Sequence, residues 1–321
     1  MSERPLILVT RTLMPDAEAR LLRSFKARLS ADDVPLSTQE IIAAAEGVDG
    51  ILISPTDRLD ADAVTALPPG VRIIACHSVG VDNVNIEAAR RRGIVVTNTP
   101  DVLSAATTEI ALLLMLGAAR RASEGERLIR GGNWKYWAIN FMVGTEMTGK
   151  RLGIIGMGRI GQLVAKRARG FDMTIHYWNR RRLPPELEGG AQFHERIEEL
   201  LPQADFLSIH CPLTDETRGL LNAERLALLP RGAIVVNTAR GPIIDDEALI
   251  AALRSGQVAA AGLDVFTDEP RINPAYLTLD NTFLLPHVGS ATRETRTAMG
   301  IKAIANLEAF FQGDAPPDRV V

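Results

Sequence analysis

The chain has 321 residues, 46% of them hydrophobic, and 36 basic against 39 acidic side chains give a formal charge of -3. That length builds one large domain or two moderate ones, and the balanced charge argues against a nucleic-acid-binding face spread over the molecule. The two cysteines, Cys76 and Cys211, lie in separate apolar runs, which argues against a disulfide scaffold or a cysteine-based zinc site.

The N-terminal stretch MSERPLILVT lacks the long apolar core of a signal peptide, and the apolar run over residues 110–119 is too short to span a bilayer. The expectation is a soluble, cytoplasmic protein with no membrane or nucleic-acid partner. From Leu6 onward, short apolar runs alternate with helical patterns. Strands are predicted at 6–10, 49–54, 71–78 and 94–100, the last stopped by Pro100, with helical patterns at 15–25, 41–47, 61–67 and 85–93. A long helix is predicted from about Val102 to Arg121, apolar enough to be buried between two bodies, and the stretch 131–150 reads as irregular. A second alternating series follows, with strands at 152–156, 174–178, 206–211, 233–239, 259–265 and 283–287. Its clearest helices lie at 158–170 and 245–256, and a last helix spans about Ala291 to Phe311.

Strands separated by helices of this length predict α/β architecture: two Rossmann-like, doubly wound parallel sheets with helices on both faces. The expected division is residues 1–100 plus 291–321 for one domain and 101–290 for the other, with the last helix packing back on the first domain.

Directly after the apolar strand LGIIG comes GMGRIG, carrying Gly156, Gly158 and Gly161, and a helical pattern begins at once. The first glycine permits a tight turn, the second lets backbone approach a pyrophosphate, and the third allows close packing of helix on strand. Exposed N–H groups at the helix start favour the phosphate charge. About twenty residues on, a site for NAD usually places Asp or Glu to bind the ribose 2′-hydroxyl. Here the sequence is Tyr177, Trp178, Asn179, Arg180, Arg181, Arg182. With no carboxylate to repel a 2′-phosphate, and with planar donors at Arg180 and Arg181, the expectation is NADP(H), with weaker use of NAD(H). The competing reading is that the arginines merely solvate a surface loop.

Three polar residues stand at or just beyond the predicted ends of late strands: Arg240, Glu269 and His287. Ligands of such folds bind beyond the carboxyl ends of the strands. A protonated imidazole can donate to a carbonyl oxygen as hydride reduction places negative charge on it, a carboxylate beside it favours the protonated form, and a guanidinium can grip a substrate carboxylate. The set implies a 2-keto acid. Each member also has a structural reading: His287 tying down a loop, Glu269 in a solvated turn, Arg240 bonding loop carbonyls, Asp264 satisfying backbone groups. Among the other histidines, His176 and His210 fall within strands, His194 falls in a polar connector, and His77 near a glycine loop is a weak competitor. No cluster has metal-ligand spacing, and no metal is expected.

The segments 78–85, 98–116, 148–162, 201–222, 228–249, 259–270 and 284–292 together make the chain resemble the D-2-hydroxyacid dehydrogenase family over nearly its whole length. Within that family it looks most like glyoxylate/hydroxypyruvate reductases and the related 2-ketogluconate reductases. The resemblance implies an outer, substrate-binding domain into which the coenzyme domain is inserted, and a catalytic set of Arg240, Glu269 and His287. It implies a substrate-carboxylate loop at Ser78, Val79 and Gly80, a homodimer, and a paired-tryptophan segment, NWKYW, whose Trp137 reaches the substrate site of its own or of the partner subunit. It also implies cofactor contacts from Met157, Arg159 and Ile160 in the glycine loop, and from Cys211, Pro212, Thr217, Thr238, Ala239, Asp264, His287 and Gly289. Glu269 departs from the glutamine of formate dehydrogenases, and Asn179-Arg180 departs from the acidic residue of the family's NAD-preferring members. The function implied is NADPH-dependent reduction of glyoxylate, hydroxypyruvate or 2-ketogluconate to a D-2-hydroxy acid. The alternatives are another substrate of the same family, or a dinucleotide-sensing corepressor.

Overall fold

The computed structural model describes residues 4–321, and the first three residues of the N-terminal stretch read above lie outside them. The chain begins with β1 (Leu6–Val9), α1 (Pro15–Ser24), β2 (Lys26–Leu29), α2 (Thr38–Ala44), β3 (Gly50–Ile53) and α3 (Ala61–Ala66). β4 (Ile73–Cys76), α4 (Ile86–Arg92) and β5 (Val95–Thr97) follow. Next come α5 (Ser104–Ala119), α6 (Ala122–Arg130), β6 (Arg151–Ile155), α7 (Arg159–Ala168) and β7 (Thr174–Trp178). α8 (Pro185–Glu188), β8 (Gln192–His194), α9 (Ile197–Leu200), β9 (Phe206–Ile209) and α10 (Ala223–Ala227) continue the series. β10 (Ala233–Asn237), α11 (Asp246–Ser255), β11 (Val258–Leu263), β12 (Thr282–Leu284) and α12 (Arg293–Gln312) complete it.

Two compact units result, Met1–Leu103 with Ala291–Val321, and Ser104–Ser290. Among the described residues the first holds a five-stranded sheet in the order β2-β1-β3-β4-β5, and the second a seven-stranded sheet in the order β12-β11-β10-β9-β6-β7-β8. Every pairing between named strands is parallel. The expected doubly wound architecture is therefore what the chain adopts. The central strands are buried along their whole length, β3, β4, β9 and β10 without an exposed position, as sheets covered on both faces require.

In the first unit, α12 packs on α1 and β4. Arg20 on α1 donates to Glu308 on α12, which also accepts from Ser24. The C-terminal residues lie along β5: the N–H of Val320 donates to the Val96 carbonyl, and the N–H of Val96 to that of Val321. That pairing covers one sheet edge.

In the second unit the order reverses between β6 and β9, the place where doubly wound sheets bind ligands. α5 lies over β10, β11 and β12 and against α7. Its apolar surface is taken up there, while Leu113 remains 46% exposed. The helix predicted to reach Arg121 stops at Ala119, because Arg121 adopts the left-handed backbone region (φ 54°) and α6 starts afresh. Strands β2 and β8 and helix α6 had no sequence signal, and His194, expected in a connector, lies in β8. Among the described residues no helix is long and apolar enough to cross a membrane.

The seat of α5 depends on Gly262 in β11. A Cβ there would stand 2.8 Å from both the Cβ and the carbonyl oxygen of Leu114. Backbone cannot retreat as a side-chain tip can. Gly262→Val is expected to destabilise the protein by about 1–3 kcal/mol, the usual range for overpacking a core, read as a lowered urea midpoint. A parental midpoint would contradict this packing role.

Candidate active site

The second unit gathers the predicted reacting groups on loops beyond β10, β11 and β12. His287 Nδ1 lies 2.6 Å from Glu269 Oε2, and Glu269 Oε1 accepts the Phe266 N–H at 2.8 Å. Burial alone would raise the Glu269 pKa. The hydrogen bond and charge of His287, the Phe266 N–H and the charge of Arg240 outweigh it, and the carboxyl sits below its ordinary value. Arg240 is thus close enough to act on Glu269, and its Nη1 also donates to the Ala239 carbonyl at 2.8 Å. The His287 side chain remains 38% exposed and that of Glu269 30%, so the pair faces outward with its contact made. This is an imidazole whose orientation is held by a carboxylate, with a half-buried guanidinium nearby. Such a group is suited to moving one proton to or from a bound oxygen.

His287 has φ 53°, a region that non-glycine residues enter at a cost. Asp264 holds the loop there. Its Oδ1 accepts from the Val288 N–H at 2.8 Å and its Oδ2 from the Gly289 N–H at 2.7 Å. Burial raises the Asp264 pKa, and the two N–H groups oppose the rise. Asp264, expected among the cofactor contacts, is thus engaged by the His287 loop. Asn237, which the sequence reading passed over, is 1% exposed and bonds to both Ala239 and Arg240.

The other histidines have separate roles. His176 Nδ1 and His194 Nε2 are 3.1 Å apart in a buried pair on β7 and β8. His210 is pushed down to about 3 by burial and bonds Ser208 Oγ and Thr238 Oγ1. His77 belongs to the other unit, where its Nε2 lies 3.3 Å from the Arg296 carbonyl and burial lowers its pKa.

The glycine loop runs from β6 into α7. Gly156 has φ 96°, and a Cβ there would strike the backbone of His210 and Cys211, so the turn needs glycine. A Cβ at Gly161 would meet the Gly156 backbone, whereas at Gly158 nothing lies within 4 Å. The start of α7 has no side-chain cap, and the space beside Gly158 is open, which suits the approach of a pyrophosphate to a helix N-terminus. Met157 is buried, and its N–H donates to Asn179 Oδ1 at 2.7 Å. The side chain that replaces the acidic residue therefore ties its own loop to the glycine loop and still has an amide donor.

The three arginines divide. Arg182 is held by Glu188 at 2.7 and 3.1 Å and lies over the Phe193 ring. Arg180 is exposed, with Glu216 at 3.9 Å, and exposed Arg181 makes no hydrogen bond or ion pair among the described residues. Across the switch point, Thr217 Oγ1 donates to the Pro212 carbonyl and accepts from the Thr214 N–H, closing the loop that follows Cys211. Burial pushes the Cys211 thiol up to about 11. Among the described residues no group of three or more His, Cys, Asp or Glu side chains could hold a metal ion.

In the first unit, Ser78 Oγ donates to the Gly80 carbonyl, Val79 is exposed, and its carbonyl accepts from Asn98 Nδ2. In the second unit, Trp134 and Trp137 are 54% and 74% exposed, within an apolar run that also exposes Tyr136, Ile139, Phe141 and Val143.

Residues 112–289 match the family model described as D-isomer specific 2-hydroxyacid dehydrogenase, NAD binding domain. The chain is 42% identical over 309 residues to a glycerate dehydrogenase from Hyphomicrobium methylovorum, with 96% of each covered. It is 44% identical to a glyoxylate reductase from Aeropyrum pernix, covering 99% of this chain and 96% of that one. An NADPH-dependent glyoxylate/hydroxypyruvate reductase from Sinorhizobium meliloti, solved with NADP and malonate, superposes with a TM-score of 0.88 at 32% identity, covering 99% and 97% of the two chains.

Replacing Arg180 and Arg181 together by alanine is expected to weaken NADPH binding while barely changing NADH binding. Each lost charge-assisted contact is worth about 1.5–3 kcal/mol, so discrimination should change by well over tenfold. Fluorescence titration with both cofactors reads this directly. Equal losses for both would contradict the assignment.

Proposed function

The chain belongs to the D-isomer-specific 2-hydroxyacid dehydrogenase family, and from that premise we propose that it is an NADPH-dependent reductase of small 2-keto acids, glyoxylate and hydroxypyruvate first and 2-ketogluconate next. The observation that carries the reading is the 2.6 Å contact between His287 and Glu269 beside Arg240, in the same unit as a glycine cradle followed by Arg180 and Arg181. The named activities of the relatives from Aeropyrum pernix and Sinorhizobium meliloti support the substrate class.

In this reading Gly156 to Gly161 and the start of α7 hold the pyrophosphate, and Asn179, Arg180 and Arg181 hold the 2′-phosphate. Cys211, Pro212, Thr217, Thr238, Ala239 and Gly289 border the nicotinamide half. When bound, the reduced cofactor supplies a hydride. Arg240 grips the keto acid's carboxylate and polarises its carbonyl. His287, oriented by Glu269, donates its proton to the carbonyl oxygen as negative charge develops there. The exposed run from Trp134 to Val143 supports a second copy of the chain as partner, with Trp137 reaching a substrate site.

The deciding assay is NADPH oxidation with each of the three acids. No oxidation with any of them would overturn the reading. Two variants test the roles. His287→Ala is expected to lower turnover about 10² to 10⁴-fold with NADPH affinity nearly unchanged. Glu269→Gln is expected to be milder and to move the pH profile. Glu269 Oε2 lies 2.6 Å from His287 Nδ1, so its negative charge stands beside the imidazole proton. Removing the negative charge loosens that proton, so the basic limb of ketone reduction should shift to lower pH. The reverse reaction, which needs the neutral imidazole, should tolerate lower pH. An unmoved limb, at a pH where chemistry limits the rate, would contradict the coupling.

A further inference from the structure

Asn237 is the last residue of β10, in the middle of the seven-stranded sheet, with β9 and β11 on either side. A carboxamide buried to 1% exposure in that position must find partners within the protein. It finds them in the turn that carries Arg240. Asn237 Oδ1 accepts from the Ala239 N–H at 2.9 Å, and Asn237 Nδ2 donates to the Arg240 carbonyl at 2.9 Å. The main chain of Asn237 is committed as well, since its carbonyl accepts from the Asp264 N–H at 3.0 Å. The residue therefore grips the backbone on both sides of the Arg240 Cα while anchored to the neighbouring strand.

The far side of the turn is closed by contact. A Cβ at Gly241 would run into the backbone of Phe266 and Thr267, and Phe266 is the residue whose N–H binds Glu269. The Arg240 turn thus rests directly against the Glu269 loop. With Asn237 fixing the turn and Gly241 fixing its distance from that loop, the guanidinium has a defined origin relative to the His287–Glu269 pair.

We propose that Asn237 is a positioning residue for the reaction: through its two bonds to the Arg240 turn, it sets where the guanidinium meets the substrate carboxylate. The inference rests on the role given above to Arg240. Asn237 acts through the Arg240 turn, its amide being committed to the Ala239 N–H and the Arg240 carbonyl.

The test is a double-mutant cycle between Asn237→Ala and Arg240→Ala, with keto-acid kinetics and NADPH affinity measured on each protein. Misplacement of a catalytic group by about an ångström costs up to about a hundredfold. Asn237→Ala should therefore raise KM for the keto acid about tenfold or more and lower kcat less, with NADPH affinity within about twofold of the parent. In the Arg240→Ala background the same change should cost almost nothing further, because the group it positions is gone. A purely structural role would subtract the same loss in both backgrounds, and that additivity would overturn the proposal. So would a parental KM, or a parallel fall in NADPH affinity. Asn237→Ser retains an acceptor for the Ala239 N–H and should recover part of the loss; it also carries the test if the alanine variant does not fold. If the parent reduces none of the three acids, the functional reading fails, and hydrogen exchange at the Ala239 amide decides the clamp. Acceleration of about tenfold in Asn237→Ala, the loss of roughly one hydrogen bond, with a smaller acceleration in Asn237→Ser, would uphold it, and parental exchange in Asn237→Ala would overturn it.

Discussion

Asp264 accepts two hydrogen bonds on which the candidate active site depends. Val288 and Gly289 present consecutive N–H groups, and each finds one oxygen of this buried carboxylate. His287 precedes them in the left-handed backbone region, where a non-glycine residue costs about 1–3 kcal/mol unless its surroundings over-determine it. Here they do. Asp264 holds the chain after the histidine, and Glu269 holds the ring itself. Without the Asp264 clamp, the imidazole would swing with a solvated loop, and the Glu269 contact would have to pay for that ordering alone.

The glycine loop shows the same division between groups that hold backbone and groups left to meet a ligand. Asn179 fastens the Met157 N–H, Gly161 brings α7 against the Gly156 backbone, and the space at Gly158 stays open. Charge alone does not tell the nearby arginines apart. Arg182 completes a cluster with Glu188, Tyr177 and Phe193 that packs the chain beyond β7. Arg180 and Arg181 stay in solvent, where an exposed ion pair such as Arg180 with Glu216 is worth little.

The alternation of apolar runs and helical patterns made both sheets legible, because strands buried on both faces read as continuous hydrophobic segments. What escaped lies where that signal fails. β2 is KARL, with no buried position, at one sheet edge, and β8 has three residues at another. The break between α5 and α6 falls at Arg121, whose left-handed backbone no propensity scale anticipates in a helical pattern. Arg240, Glu269 and His287 were legible because polar residues stood out at the ends of apolar runs. Asn237 stood in the same kind of place and was passed over, since an amide carries no obvious reaction chemistry. His194 was misplaced for the opposite reason: its strand is too short and polar to read, and only its stacking with buried His176 shows why it is covered.

Asn179, Asn237 and Asp264 together suggest how such a sheet keeps its site open. Each stands at the carboxyl end of a strand, as the last residue of β10 or the first after β7 and β11. Each has a short side chain that reaches only neighbouring backbone, and each spends its oxygens on N–H groups of a functional loop: Met157, Ala239, Val288 and Gly289. Those N–H groups are bound at the carboxyl ends of interior strands, and one left unpaired where water cannot reach it costs about 1–3 kcal/mol. Long side chains could satisfy them too, but would occupy the space where a ligand must sit. Short acceptors satisfy the backbone from behind, so that the longer side chains of Arg240, Glu269 and His287 extend forward from loops that no longer move independently.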